Sequence, residues 1–150
     1  MKRIIVIAAL VMAFGVTGMA QFKFGAGIAL LEGEIGVQAK AKNYFADAIA
    51  GQASFSYYFP GSGVTFWSLD ADVHYTGFDI GDVEGFQIAP FGGLNIGNVS
   101  VAGFGSTEIG INLGVNGTLP LDSGLEIFIE PKLVLGGNLN GFGLAAGVYF

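Results

Sequence analysis

The sequence predicts an all-β fold: an eight-stranded antiparallel up-and-down transmembrane β-barrel preceded by a cleaved signal peptide. The first observation is that apolar residues alternate with small or polar ones in eight segments of about 9–12 residues, the length that a tilted strand needs to cross a bilayer. The second is composition: 52% of residues are apolar, 12% are charged and 26 of 150 are glycine, which suits a water-exposed surface poorly. The third is the C-terminal segment, which alternates without interruption and ends on an aromatic residue. A strand with lipid on one face and a narrow lumen on the other has this pattern.

Residues 1–20 have the features of a secretory signal. Lys2 and Arg3 give a basic start, an apolar run follows over 4–16, and Gly18–Ala20 supplies small residues for a signal peptidase. The alternative is an N-terminal anchor helix, but the apolar run is too short for a membrane span. We therefore expect a signal peptide over 1–20 and a single barrel domain over 21–150.

Charge and cysteine content exclude several kinds of function. Without residues 1–20, four lysines, twelve acidic residues and no arginine remain, a net charge of −8. That balance argues against binding nucleic acid and against a phosphate clamp made of guanidinium groups. Cysteine is absent, which excludes a disulfide framework, a thiolate metal site and a lipoprotein cysteine.

The first half of the chain predicts four strands, each from its own alternation. In 22–31 every second residue is Phe, Ala, Ile or Leu. In 34–42 Ile, Val and Ala alternate with Glu, Gln and Lys, and in 49–59 Ala and aromatic residues alternate with Gln, Ser and Tyr. In 65–76 Trp, Leu, Ala, Val and Tyr alternate with Ser, Asp, His and Thr. A period of two is that of a strand whose faces meet different surroundings.

The second half predicts four more strands. In 86–96 Phe, Ile, Pro and Leu alternate with Gln, Ala, Phe and Asn, and in 108–117 Ile, Leu and Val alternate with Glu, Gly and Asn. In 125–135 Leu and Ile alternate with Glu, Phe and Lys, and 141–150 is the C-terminal segment. Pro90 and Pro131 fall within these strands and count against a regular central strand, because proline lacks the ladder donor. Bulges would resolve the conflict, but the sequence does not place them.

Short connections between the segments predict antiparallel neighbours in chain order and a closed meander. Because the exported N-terminus starts in the periplasm, an even number of strands returns the C-terminus to the same side. The connections expected to face outward are 32–33, 60–64, 97–107 and 136–140. The turns expected to face the periplasm are 43–48, 77–85 and 118–124.

The polar face is dominated by Gly, Ala, Ser and Asn, which suit the narrow interior of an eight-stranded barrel better than a solvated surface. Charged residues on this face form the predicted polar network of the lumen. Its members are Lys40, Asp70, Asp72, His74, Glu130 and Lys132. Because unpaired charges are costly in a dry lumen, we expect the lysines to pair with carboxylates.

Two further sets of residues fit a membrane barrel. Glycines are expected where the first and last strands meet, at Gly25, Gly27, Gly141, Gly143 and Gly147. Aromatic residues near the segment ends predict two girdles at the membrane interfaces. One would contain Tyr44, Phe45, Tyr75, Phe78, Phe86, Tyr149 and Phe150, and the other Tyr57, Phe59, Phe66 and Trp67. The alternative, an ordinary aromatic core of a soluble β-protein, remains open at this point.

As a pattern, the chain resembles the small bacterial outer-membrane barrels of the OmpA and OmpX type over nearly its whole mature length. The segments 55–60, 69–75 and 92–96 resemble small barrels of Bacteroidota in particular. The resemblance is sharpest at Phe142, Leu144, Ala146, Val148 and Phe150, which look like the C-terminal signal read by the outer-membrane barrel assembly machinery. It implies location in the bacterial outer membrane, contact with its lipids, periplasmic chaperones and the assembly machinery during biogenesis, a monomer, and no cofactor. Since no peptidoglycan-binding domain follows the barrel pattern, wall anchoring is not implied.

The function that we expect is structural: an integral envelope barrel with a narrow, polar, largely plugged lumen. A weak porin-like channel for small solutes is the alternative, with a preference for cations because lumen carboxylates exceed lysines. A lipid-modifying barrel enzyme is the second alternative, with His74, Asp72 and either Ser54 or Ser56 as a base, acid and nucleophile. No nucleophile elbow is present, so we expect no catalytic residues. A single histidine without cysteine also predicts no metal site.

Overall fold

A computed structural model describes residues 22–61, 63–79, 85–136 and 140–150. The expected signal peptide, 1–20, lies outside the described residues. Within them lie eight long strands, β1 to β8, and a two-residue strand, Phe78–Asp79, that pairs with the start of β5. The long strands are β1 Phe22–Leu31, β2 Glu34–Ala46, β3 Ile49–Tyr58, β4 Val64–Tyr75, β5 Gln87–Val101, β6 Phe104–Pro120, β7 Glu126–Leu135 and β8 Gly141–Tyr149. In this part of the chain, no helix has the length and apolar character needed to cross a membrane.

The eight strands close into an antiparallel barrel. Each strand pairs with the next along the chain, and β1 returns to pair with β8. At this seam Gly27 lies opposite Gly147, and a Cβ added to Gly147 would come within 2.5 Å of the Gly27 Cα atom. Across the same seam Gly25 pairs with Tyr149 and Gly143 pairs with Leu31. Gly141 pairs instead with Val134 of β7. The predicted closed meander and most of its glycine seam are confirmed.

The two ends of the barrel carry different connections. Both chain ends of the barrel lie at one end, here the terminal end, where Phe24 and Phe150 exchange backbone hydrogen bonds of 3.2 and 2.8 Å. Among the described residues, the connections of the terminal end are 47–48, 76–77, 85–86 and 121–125. The described connections of the opposite end, here the distal end, are 32–33, 59–61, 63, 102–103, 136 and 140.

The strands alternate between an apolar outer surface and a polar interior. On β6, Ile111 is 52% exposed while its neighbour Asn112 is 0% exposed. The same contrast recurs on β3, where Phe55 faces outward and Ser56 is fully buried. A protein that folds in water has the opposite arrangement, with its large apolar side chains inside. The predicted faces of the strands are therefore confirmed.

The long outward connection predicted over 97–107 is wrong. β5 continues to Val101 and β6 begins at Phe104, so the connection is the two-residue turn Ala102–Gly103. Both residues have positive φ, 50° and 88°, as a type I′ hairpin turn requires. The sequence obscures these strand ends because their outward residues, such as Asn98 and Thr107, are polar, although the backbone ladder continues.

At the two prolines, where the sequence did not place any bulge, the described pairings show no shift of register. Pro90 lies just past the last β4–β5 pair, His74 with Phe91, so its missing N–H interrupts no ladder there. At Pro131 the β6–β7 pairs skip from Gly114–Lys132 to Gly117–Ile129 without a change of register.

Three residues of the predicted girdles are turned toward the interior instead, because they occupy inward positions of their strands. Tyr149 is 1% exposed and Phe66 is 6% exposed, and Tyr44 lies opposite the fully buried Ala50. Aromatic residues that do face outward near the strand ends are Phe45, Tyr57, Phe59, Tyr75, Phe78 and Phe150.

Candidate functional site in the barrel interior

All six residues of the predicted lumen network point into the barrel. They lie at inward positions of β2, β4 and β7, and none is more than 6% exposed. The six are Lys40, Asp70, Asp72, His74, Glu130 and Lys132. Hydrogen bonds divide most of them between two carboxylate clusters.

The first cluster surrounds Glu130 on β7. One carboxylate oxygen, Oε2, accepts from Lys40 Nζ at 3.0 Å, Gln52 Nε2 at 3.1 Å and Asn116 Nδ2 at 2.9 Å. The Lys40 ammonium also lies 4.0 Å from the centre of the Phe128 ring. Glu130 therefore has a full ion pair supported by two amide donors, as a buried carboxylate requires.

The second cluster surrounds Asp70 on β4. Its Oδ2 atom accepts from Lys132 Nζ at 2.8 Å and Ser54 Oγ at 3.1 Å. Its Oδ1 atom accepts from Asn95 Nδ2 at 2.6 Å and Asn112 Nδ2 at 2.9 Å. Four donors from four different strands therefore meet at one side chain.

Two further buried charges lack an opposite charge. Asp72 accepts from Asn112 Nδ2 at 3.0 Å, and Lys42 donates to Asn116 Oδ1 at 3.2 Å. Across the described residues, neither has a charged partner within 4.0 Å. Lys42 is only 2% exposed, so three lysines face three carboxylates in the buried interior. The expected excess of carboxylates over lysines at middle depth is therefore wrong.

His74 is fully buried and is not part of a catalytic triad. Its ring stacks on Phe91 with 4.8 Å between the centroids, and neither ring nitrogen has a hydrogen-bond partner. Ser54 donates to a carboxylate of β4, and Ser56 accepts from a glutamine of β2. Neither Ser54 nor Ser56 is hydrogen-bonded to His74, so the nucleophile and base of the enzymatic alternative do not meet.

An apolar layer fills the distal end of the interior. Tyr58 and Phe66 stack there with 4.4 Å between the ring centroids, and each is at most 6% exposed. Leu31 and Val134 belong to the same buried cluster, and Val99 packs against it. Polar residues thus fill the middle of the barrel, and apolar residues cover them at the distal end.

The predicted network omitted several buried side chains that take part in the observed one. They are Lys42, Gln52, Ser54, Asn95, Asn112, Asn116 and Tyr149. Their inward parity was visible in the sequence. Which of them meet depends on the register between strands that are distant in the chain, and alternation alone does not give that register.

The five residues of the expected assembly signal lie on one face of β8 or directly after it. Phe142 is 56% exposed and Phe150 is 64% exposed on the outer surface. The other three, Leu144, Ala146 and Val148, share their outward parity. The described residues also contain no group of three His, Cys, Asp or Glu side chains placed to hold a metal ion.

No family model and no curated protein matches the chain. Its fold does match solved structures. The N-terminal β-barrel domain of Pseudomonas aeruginosa OprF aligns with a TM-score of 0.68 at 15% identity, over 88% of this chain and 100% of that one. A major outer membrane protein of Thermus thermophilus aligns with a TM-score of 0.64 at 14% identity, over 89% and 99%. Neisserial surface protein A aligns with a TM-score of 0.58 at 17% identity, over 88% and 98%. The chain therefore has the fold of the small eight-stranded outer-membrane barrels, as the resemblance predicted.

Proposed function

We propose that this chain is an integral outer-membrane protein with a structural role in the envelope and a lumen closed by its own side chains. The observation that carries the proposal is the inverted arrangement of the barrel. Large apolar side chains cover the outside, while charged and amide side chains fill the inside. A surface of this kind is stable in hydrocarbon, and only a closed barrel or a helix satisfies its backbone there.

The proposed closure of the lumen rests on two layers. In the middle, two lysine–carboxylate pairs span the interior, Lys40 with Glu130 and Lys132 with Asp70. At the distal end, the stacked rings of Tyr58 and Phe66 lie above them. An eight-stranded barrel has just enough interior volume for side chains, so these layers leave little room for solute.

Membrane location is tested by fractionation and by gel mobility before and after heating. We expect the protein in the outer-membrane fraction, with a folded form that migrates differently from the heated form. Recovery in the aqueous fraction without detergent would reject the proposal. The expected partners on this reading are outer-membrane lipids, with periplasmic chaperones and the assembly machinery during biogenesis, and the barrel acts as a monomer.

Closure of the lumen is tested by single-channel recording of the refolded protein in planar bilayers. We expect no discrete openings. Tyr58→Ala removes part of the distal layer and should raise any residual leak, whereas Tyr57→Ala, on the outward face of the same strand, should not. Regular openings of the unmodified protein would reject the closed lumen and support the alternative, a weak small-solute channel. The unmatched Lys42 and Asp72 favour that alternative, because unpaired interior charges attract water.

A further inference from the structure

We propose that the interior binds one monovalent cation of the sodium class at Asp72, among the oxygen atoms of Asp70, Asn95 and Asn112. This site goes beyond a structural role, and it does not depend on whether the lumen conducts.

Geometry brings the four side chains together. Asp70 and Asp72 are successive inward residues of β4, and the Asn112 amide donates to both, at 2.9 and 3.0 Å. The Asn95 amide donates to the same Asp70 oxygen at 2.6 Å. Gly93 separates Asp72 from Asn112 in the pairing, and a Cβ there would collide with the Asp72 carboxylate. The missing side chain is what allows residues two strands apart to touch.

The cluster lacks one positive charge. Lys132 neutralises Asp70 at 2.8 Å, but Asp72, which is 4% exposed, has no ion-pair partner among the described residues. Lys42 lies on the far side of Gln52 in the row Lys42–Gln52–Asp72, and its ammonium donates to Asn116 instead. The cluster therefore carries a net charge of −1. A buried carboxylate in that state is costly unless a positive charge joins it.

Three of these side chains each carry one oxygen atom without a hydrogen-bond partner. These atoms are Asp72 Oδ2, Asn95 Oδ1 and Asn112 Oδ1. A half-turn of either amide exchanges its nitrogen and oxygen, so both can offer oxygen to a cation between the carboxylates. Carboxylate and amide oxygens are the ligands that hard cations prefer. A monovalent ion neutralises the cluster, whereas a divalent ion would leave an uncompensated positive charge.

The proposal is tested by unfolding the refolded protein with urea, followed by the fluorescence of Trp67, the only tryptophan. Sodium replaces N-methylglucamine stepwise at constant chloride and ionic strength. We expect the unfolding midpoint to rise with sodium and then to saturate, because a ligand that binds only the folded state stabilises it in this way. Calcium at the same ionic strength should give a smaller rise.

Two variants identify the site. Asp72→Asn removes the negative charge while keeping the shape, and it should abolish the sodium dependence. Asp122→Asn, in an exposed turn, should retain it. A midpoint that ignores sodium in the unmodified protein, or that follows sodium equally in Asp72→Asn, would overturn the proposal. So would a midpoint that follows pH but not sodium, since a proton would then neutralise Asp72.

Heat-modifiable mobility shows whether Asp72→Asn folds. If it does not, a third variant tests the same site. Asn95→Ser leaves every charge in place and removes one amide oxygen. It should move the sodium titration to about tenfold higher concentration, equivalent to about 1.4 kcal/mol for one contact to a charge. An unshifted titration would also reject the site.

Discussion

Replacing Lys40 by methionine tests whether the interior is dry. The variant keeps the length of the side chain but leaves Glu130, which is 1% exposed, without its ion pair at 3.0 Å. Breaking a buried pair from one side costs about 3–5 kcal/mol, because the remaining charge stays uncompensated. At a urea slope of about 2 kcal/mol/M, the unfolding midpoint should fall by about 1.5–2.5 M.

The double variant Lys40→Met/Glu130→Gln should regain most of that loss. It removes both charges, and replacing both partners of a buried pair is often close to neutral. Lys23→Met is the matched control, since the Lys23–Glu126 pair lies at the terminal end with side chains 33% and 13% exposed. There the loss should stay below about 1 kcal/mol.

The measurement is urea unfolding of each refolded variant in lipid vesicles. Lys40→Met, Lys23→Met and the double variant are compared under one condition. If Lys40→Met cost no more than Lys23→Met, water would be screening the interior charges. The argument for a filled lumen would then fail.

Three more outcomes follow from the geometry. Gly93→Ala should lower the yield of the heat-modifiable folded form because its Cβ would collide with β4, while Gly92→Ala, whose nearest contact would be 3.5 Å, should fold normally. Ile111→Arg places a charge on the outward face and should cost about 2–4 kcal/mol in vesicle unfolding if that face meets lipid, whereas Phe104→Arg, beside the distal turn, should cost about 0–1 kcal/mol. Ala102→Asn should raise the unfolding midpoint, by up to about 1 kcal/mol in stability, because asparagine tolerates the positive φ of that turn.

The fold could be predicted from the sequence because the alternation of residues within each strand distinguishes its two faces. Ile111 beside Asn112 shows which side is apolar without any knowledge of neighbouring strands. The strand ends were less visible. Beyond the apolar band, residues such as Asn98 and Thr107 no longer alternate in polarity, although their backbones still pair.

The candidate site could be predicted only in part. Parity places Asp70, Asp72 and Asn112 inside, but nothing in β4 or β6 alone shows that they touch. Their contact depends on a glycine of the strand between them and on the register of both pairings. The prediction of the aromatic girdles failed at Tyr149 for a related reason. This residue lies near a strand end, as an interface residue would, but it occupies an inward position of its strand.

The burial of the lysines affects how the protein can be detected. Trypsin cleaves after lysine and arginine, and residues 22–150 contain four lysines and no arginine. Lys40, Lys42 and Lys132 are enclosed within the strands of the barrel, and Lys23 sits at the terminal end. In the proposed outer-membrane location, with the terminal end in the periplasm, shaving intact cells with trypsin should therefore release no peptide from the folded chain. A proteomic survey of exposed proteins by that method would miss it however abundant it is.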